Sequence, residues 1–408
     1  GVVCVLLGLV ALVAGGRAAG GSGPGPGGRK PVIGALLLSM GGLYAASHGL
    51  RLALAWQPSL VAASPVAGGP TTSVTVLQPI LSGDPALAAT LAHGPDQAIS
   101  MRFVWLVDED DAEGLKVSAA LATNRNVVVV VGRPPQDGEN PKTLKLIRGE
   151  ALVETDTVAV LDDDTMLAPG GLEQLAAVAR SIGGLATALP TWGRQPLNAS
   201  EALVAGFVDG QGASAYLAMA RLGRNRTING MAYAADMVTL RHVGGFAAMG
   251  HSVTDDWAIA QLFEAHGRPI AQTAVPARVA VTLTGPIEAL RLLRRWTVFA
   301  HRYVGANLDT AMVGLVLVPA VLPLAGLVLA GFAGPLALGL WLGLLVVRAG
   351  LHRRLVRRIG GAGTAPVWAV VAAELALPVL SVAAALSPDR IRWRSRRMRL
   401  TPEGIRYE

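Results

Sequence analysis

Three consecutive carboxylates, Asp162, Asp163 and Asp164, follow directly on the apolar run Val158-Ala-Val-Leu161. The run reads as a short buried strand. Alternate residues at a strand end project the same way, so Asp162 and Asp164 are expected to face one point, where a divalent cation would relieve their repulsion. Hard oxygen ligands suit Mg²⁺ or Mn²⁺ rather than zinc. Taken alone, this spacing is equally that of a solvated acidic turn, so the rest of the chain has to decide. Further acids stand at Asp108-Glu-Asp-Asp111 after another strand-like run, and at Asp255-Asp256 at the start of a helix-like one. Such groups can do two kinds of work. A carboxylate beside a hydroxyl can take its proton, and a bound cation with Lys or Arg can stabilise charge growing on a phosphate leaving group.

Strand-like runs at 73–78, 102–108, 126–132, 157–162 and 184–189 alternate with helix-compatible segments at 85–92, 112–123, 142–154 and 170–180. The alternation predicts an α/β fold with a mainly parallel sheet, whose ligands gather at the carboxyl ends of the strands. The acids at 108–111 and 162–164 both fall at such ends.

Of the 408 residues, 52% are hydrophobic and only 15% charged, and the mean hydropathy is +0.46. That is too apolar for an ordinary soluble enzyme and predicts membrane spans. Residues 1–56 hold two apolar stretches, 1–16 and 31–56, joined by a Gly/Pro linker, and are expected to form two transmembrane helices. Residues 286–304 mix apolar positions with arginines and Trp296, as in a helix lying in the membrane interface. Residues 311–386 hold the C-terminal transmembrane segments: a hairpin at 312–347, then a run at 366–386 interrupted by Glu374 and Pro378. A basic tail, 387–408, follows. Five arginines lie between Arg348 and Arg358 and six between Arg390 and Arg399, as expected beside anionic lipid. A straight span at 366–386 would put the two clusters on opposite sides of the membrane, so a re-entrant or interfacial helix is the alternative there. The net charge of +7 comes with 5% aromatics and no basic-aromatic pattern, which argues against nucleic-acid binding. The single Cys4 excludes a disulfide framework and a cysteine zinc site. Nothing in the sequence indicates a protein partner.

Five features now stand in order: Asp108–Asp111, Asn140-Pro-Lys142, Leu161-Asp-Asp-Asp164, Thr254-Asp-Asp-Trp257 and Arg294-Arg-Trp296. With Ser73-Val-Thr-Val-Leu-Gln-Pro79, Gly83-Asp-Pro85, Asn229-Gly-Met231 and Val243-Gly-Gly-Phe246, the chain resembles the ceramide glucosyltransferase family. That family is glycosyltransferase family 21, within the inverting family-2-like GT-A glycosyltransferases, and the likeness covers residues 72–304. It implies a cytosolic GT-A (nucleotide-diphospho-sugar transferase) domain at 72–285, flanked by transmembrane helices. It also implies that Asp111 contacts the nucleotide base and ribose, that Lys142 lies near the phosphates, and that Asp162 and Asp164 hold the metal and diphosphate. Asp256 would be the general base, and Arg295 with Trp296 would meet the diphosphate. One position departs from the family pattern: Leu292 stands where Gln or Arg is usual, with Arg291 and Arg294 on either side.

The resemblance implies a UDP-sugar donor, UDP-glucose first, and a membrane lipid hydroxyl of the ceramide kind as acceptor. One base and no covalent nucleophile predict single displacement with inversion. A hopanoid or other lipid acceptor with UDP-N-acetylhexosamine is an alternative, as is a processive polysaccharide synthase, which the missing Gln disfavours. A transporter subunit would carry polar groups in several spans, and Glu374 is the one such group noted. Richness in Gly, Ala and Arg points to a GC-rich bacterium. The expected location is therefore its inner membrane, as an integral protein with a cytoplasmic catalytic domain.

Overall fold

A computed structural model of the chain describes residues 26–56, 73–98, 100–123, 125–193, 197–361, 365–386, 389–394, 396–401 and 404–408. The expected span at 1–16 and the linker up to residue 25 lie outside them. Helix α1 (Pro26–Ala55) comes first, then β1 (Val74–Pro79), α2 (Leu87–Gln97), β2 (Arg102–Asp108), α3 (Ala112–Ala122), β3 (Val127–Gly132), α4 (Pro141–Glu150), β4 (Thr157–Leu161) and β5 (Thr165–Leu167). Next are α5 (Gly171–Ile182), β6 (Leu185–Trp192), α6 (Ala199–Phe207), α7 (Ala213–Arg221), β7 (Ala232–Asp236), α8 (Met237–His242), α9 (Asp255–Ala265) and β8 (Ile270–Val279). The apolar C-terminal part holds α10 (Pro286–Ala306), α11 (Thr310–Ala333), α12 (Pro335–Arg358) and α13 (Val367–Leu386). Strands β9 (Arg390–Trp393), β10 (Arg396–Thr401) and β11 (Gly404–Tyr407) close the chain.

Strands β1 to β8 form one sheet in the order β3-β2-β1-β4-β7-β6-β8-β5. Parallel pairings predominate, as the alternation predicts: β1 with β2 and β4, β2 with β3, and β6 with β8. Strand β7 runs antiparallel between β4 and β6, and β5 antiparallel on β8, so the sheet is mixed. The interior strand β2 is buried on both faces from Phe103 onward, which is why it reads as an unbroken apolar run. Edge strand β3 keeps its valines partly exposed. Leu87 and Leu91 of α2 pack on one face with Leu172, Leu175 and Val178 of α5. Leu146 of α4, Leu240 of α8 and Ile259 and Phe263 of α9 cover the other. Helix α4 lies close to the sheet because residue 149 is glycine: a Cβ there would come within 2.9 Å of both Leu77 and Leu106.

Among the described residues four helices are long and apolar enough to cross a membrane: Pro31–Ala55, Thr310–Ala333, Pro335–Arg358 and Val367–Leu386. Their interior is more polar than the sequence reading allowed. Glu374 Oε1 accepts from Tyr44 Oη at 3.0 Å and lies 3.4 Å from His48 Nε2, while Oε2 is 3.3 Å from Arg348 Nη1. Arg51 and His352 are buried nearby. Arg348 therefore belongs to the helix interior, not to a lipid-facing cluster.

Helix α13 has both ends held on the side of the sheet. Before its first turn, Ala365 N–H donates to Asp209 Oδ2 at 2.9 Å, and Asp209 also accepts from Trp192 N–H at the end of β6. Near its last turn Ala384 packs with Val298 of α10 and Ile391 of β9. The basic tail forms a three-stranded antiparallel sheet, β11-β10-β9. Ile391, Met398, Leu400 and Ile405 form its buried side. Gly138 N–H donates to Ile405 O at 2.6 Å and Tyr407 Oη to Glu139 O at 2.9 Å, which fix the tail to the loop before α4.

Candidate active site

Asn140 brings three separate stretches together. It caps α4, its side chain accepting from Lys142 N–H and Thr143 N–H at 3.0 and 3.1 Å, with Pro141 opening the helix. This is a favourable start for a helix. The other end of the same side chain donates to Ser252 O and Val253 O at 2.9 and 3.2 Å. The start of α4 is thereby tied to the segment that leads into α9. Lys142 Nζ then sits 2.7 Å from Asp162 Oδ1 and 2.9 Å from Asp255 Oδ2, and donates to Gly230 O at 2.7 Å. Burial opposes its charge, but Asp162 and Asp255 outweigh it and hold the Lys142 pKa well above the usual lysine value.

With Asp255 engaged by Lys142, Asp256 is the acid left over. Its Oδ1 accepts from Trp257 N–H at 2.7 Å. Burial, reinforced by the charge of Asp255, pushes its carboxyl up to about 7. Gly230 makes room for it, since a Cβ at that position would lie 2.9 Å from Asp256 Cβ.

All three strand-end acids line one cavity, with different partners. Asp163 Oδ2 accepts from Leu81 N–H at 2.8 Å, whereas Asp162 faces Lys142. Burial, with the Asp164 charge adding to it, raises Asp162 to about 7 even though Lys142 pulls the other way. Burial likewise raises Asp164. Two crowded carboxylates of this kind are a donor set that a hard divalent ion would stabilise. Among the described residues no cluster of three His, Cys, Asp or Glu side chains exists to cage a metal. The set therefore fits an ion that takes its remaining ligands from diphosphate and water, as Mg²⁺ commonly does.

Asp162, Asp164, Lys142, Asp256, Arg295 and Trp296 all line one cavity of about 470 Å³. Burial pushes Arg295 down to about 10, so it remains a cation at neutral pH, with Asp164 supporting its charge. Trp296 stacks on Phe207 with ring centroids 6.1 Å apart. Leu292 lines the cavity as well. Neither neighbouring arginine takes over from it: Arg291 is exposed, and Arg294 donates to Arg390 O at 2.7 Å. Asp111 is absent from the cavity lining. It caps α3, accepting from Gly114 N–H at 3.0 Å on Oδ1 and from Ser82 N–H at 2.8 Å on Oδ2. Burial would raise its pKa, but those hydrogen bonds hold it below the usual carboxylate range.

Sequence reasoning missed Lys145, one helical turn beyond Lys142. Its Nζ lies 3.0 Å from Asp108 Oδ2 and donates to Ile80 O at 2.6 Å. The i, i+3 spacing after the helix cap was the available signal. It also missed Trp393 and Arg394 of the tail, for which no local signal exists. Away from the acids the cavity wall turns apolar, with Trp296, Phe299 and Tyr303 of α10 and Met312 and Val316 of α11.

A mixed α/β sheet with an acid-lined pocket at its strand ends, attached to apolar helices, is the arrangement of a membrane-attached GT-A glycosyltransferase, and the family match shows the activity on a nucleotide sugar. The chain belongs to glycosyl transferase family 21, whose signature matches residues 38–406. No curated protein sequence matches it. Among solved structures it is similar to the mannosyltransferase PcManGT from Pyrobaculum calidifontis in complex with GDP-Man and Mn²⁺, at 17% identity and a TM-score of 0.47, covering 86% of this chain and 98% of that one. It is also similar to glucosyl-3-phosphoglycerate synthase from Mycobacterium tuberculosis in complex with Mg²⁺ and UDP, at 16% identity and a TM-score of 0.36, covering 59% and 81%.

Proposed function

We propose that the protein transfers a hexose, glucose from UDP-glucose, to the hydroxyl of a membrane lipid of the ceramide kind, with inversion. One observation carries this reading: the cavity that holds Asp162, Asp164 and Asp256 continues into an apolar wall built by α10 and α11. A polar donor and an apolar acceptor thus have adjoining surfaces in one cleft. Holding both there converts an encounter between two molecules into a reaction within one complex.

In this reading Asp256 removes the acceptor proton as the hydroxyl attacks the anomeric carbon. A carboxyl near 7 suits that task, because it is both available and basic at neutral pH. Lys142 and Arg295 face the leaving diphosphate, and Trp296 shapes the sugar end. Asp162 and Asp164 would hold Mg²⁺ or Mn²⁺, which when bound neutralises charge on the departing phosphate oxygens. Asp111 contributes by fixing the Ser82 turn, from which the base and ribose would be reached. The sheet domain faces the cytosol, at the inner membrane of a bacterium, since both Arg-rich stretches lie on its side and positive charge favours that side.

The test is release of nucleoside diphosphate by the detergent-solubilised protein, with UDP-glucose or UDP-N-acetylglucosamine and with ceramide, a hopanoid alcohol or no lipid. Release that requires UDP-glucose, ceramide and a divalent ion, and stops on chelation, is the expected result. Release that ignores lipid, or yields glycan polymer, would sink the reading.

A further inference from the structure

Arg295 is the arginine of α10 that faces the acids, and Leu292 supplies no partner for it. A second guanidinium reaches the same acids from the far end of the chain. Arg394 follows β9, and its Nη1 and Nη2 lie 2.6 and 2.8 Å from the two oxygens of Asp163. Its Nη2 is also 3.3 Å from Asp164 Oδ2. Trp393, just before it, lies under Arg295, whose guanidinium carbon is 5.8 Å from the ring centroid. Two arginines from unrelated elements therefore converge on one acidic cluster: Arg295 lines the cavity, and Arg394 stands just behind the lining, on Asp163 and Asp164, which do line it.

The backbone at Arg394 is itself unusual. Its φ is 49°, and among the described residues it alone reaches the left-handed region without being glycine. Such a conformation is disfavoured for a side chain of this size and persists only where the surroundings over-determine it. Here they do. Arg396, next along the tail, pairs with buried Asp108 at 2.7 Å, and Ile391 and Met398 are packed into the cavity wall.

Asp163 has no role as an ion ligand in this geometry, because its oxygens are taken by Leu81 N–H and Arg394. What it does is hold the guanidinium. A guanidinium has five N–H donors; the fork on Asp163 uses two and the contact with Asp164 a third, so two remain for an anion arriving beside Asp164.

We propose that Arg394 is a second leaving-group cation, hydrogen-bonding the diphosphate of the donor beside Arg295, with Asp163 as the residue that positions it. This rests on the reading of the cavity as a nucleotide-sugar site. In the transfer, the bond between the anomeric carbon and the diphosphate oxygen breaks as the acceptor oxygen bonds to that carbon. The electron pair leaves on the diphosphate, the acceptor proton goes to Asp256, and Arg394 meets the charge that appears.

Equilibrium binding to the full-length protein tests this without turnover. UDP and GDP are compared with UMP and GMP in the presence of Mn²⁺, with no acceptor. Arg394→Gly removes the cation and tolerates the left-handed turn, Arg394→Lys keeps the charge, and Arg397→Ala, exposed on β10, is the control. Arg394→Gly should weaken the diphosphate about 10- to 100-fold, as expected for one lost hydrogen bond to a charged group, and leave the monophosphate nearly unchanged. Arg394→Lys should fall between, Arg397→Ala should match the wild type, and Asp163→Asn should add little to Arg394→Gly because the two act as one unit. Equal weakening of mono- and diphosphate, or none, would overturn the proposal while leaving the proposed function standing. A wild type that binds neither diphosphate overturns both.

Discussion

Asp255 and Asp256 are neighbours with different work, and Lys142 is the reason. The ammonium 2.9 Å from Asp255 fixes that carboxylate as an ion-pair partner. Asp256, pushed up to about 7 by burial and by Asp255, remains as the group able to accept a proton. Because a base must be deprotonated to act, the transfer rate should rise with pH through about 7 and fall to the acid side as Asp256 protonates. Asp256→Asn should remove this limb along with most of the activity, about 100-fold or more. A pH profile of initial rate for both proteins checks this, and an unchanged acid limb in the variant would exclude Asp256 as the base.

At the scale of elements, short polar devices set how helices meet. Asn140 joins the start of α4 to the entrance of α9, and so brings Lys142 to both Asp162 and Asp255. Glu374 does the corresponding work among the apolar helices, linking α13 to Tyr44 and His48 of α1 and to Arg348 of α12. Arg348 also donates to Gly210 O at 2.6 Å, on the turn between α6 and α7. Removing the carboxylate leaves Arg348 buried without its counter-charge, which costs about 3–5 kcal/mol. Glu374→Ala should therefore lower the melting temperature in detergent markedly, and Glu374→Gln less, since it keeps an acceptor for Tyr44. Equal Tm values for wild type and Glu374→Ala would show that the network adds no stability.

In the whole molecule the chain returns to where its chemistry is. Helix α13 begins beside Asp209 and ends beside Val298, so the sheet that follows it can dock against the acids at the β2 and β4 ends. This arrangement keeps Arg353–Arg358 and the tail arginines on one side of the apolar helices, as the distribution of positive charge favours. In a Cys4→Ser background, Arg354→Cys and Arg397→Cys should both be labelled by a membrane-impermeant thiol reagent from the same face of inverted or right-side-out vesicles. Labelling from opposite faces would make α13 a simple crossing and undock the tail.

The alternation of strands and helices, the acids at strand ends, and the apolar stretches flanking them were all legible in the chain. They were so because strand burial, helix capping and membrane solubility leave periodic or contiguous marks on neighbouring residues. Thus β2 coincides with the predicted run at 102–108, while antiparallel β7 and the three-residue β5, whose partners lie far away in the chain, carried no such mark. Which acids share a cavity follows from how the layers pack. Asp111 is spent capping α3, and Asp163 faces Leu81 and Arg394. A tail arginine 230 positions from Asp164 comes to lie beside it. Pairing between groups so distant depends on how the layers pack, and no local pattern records it.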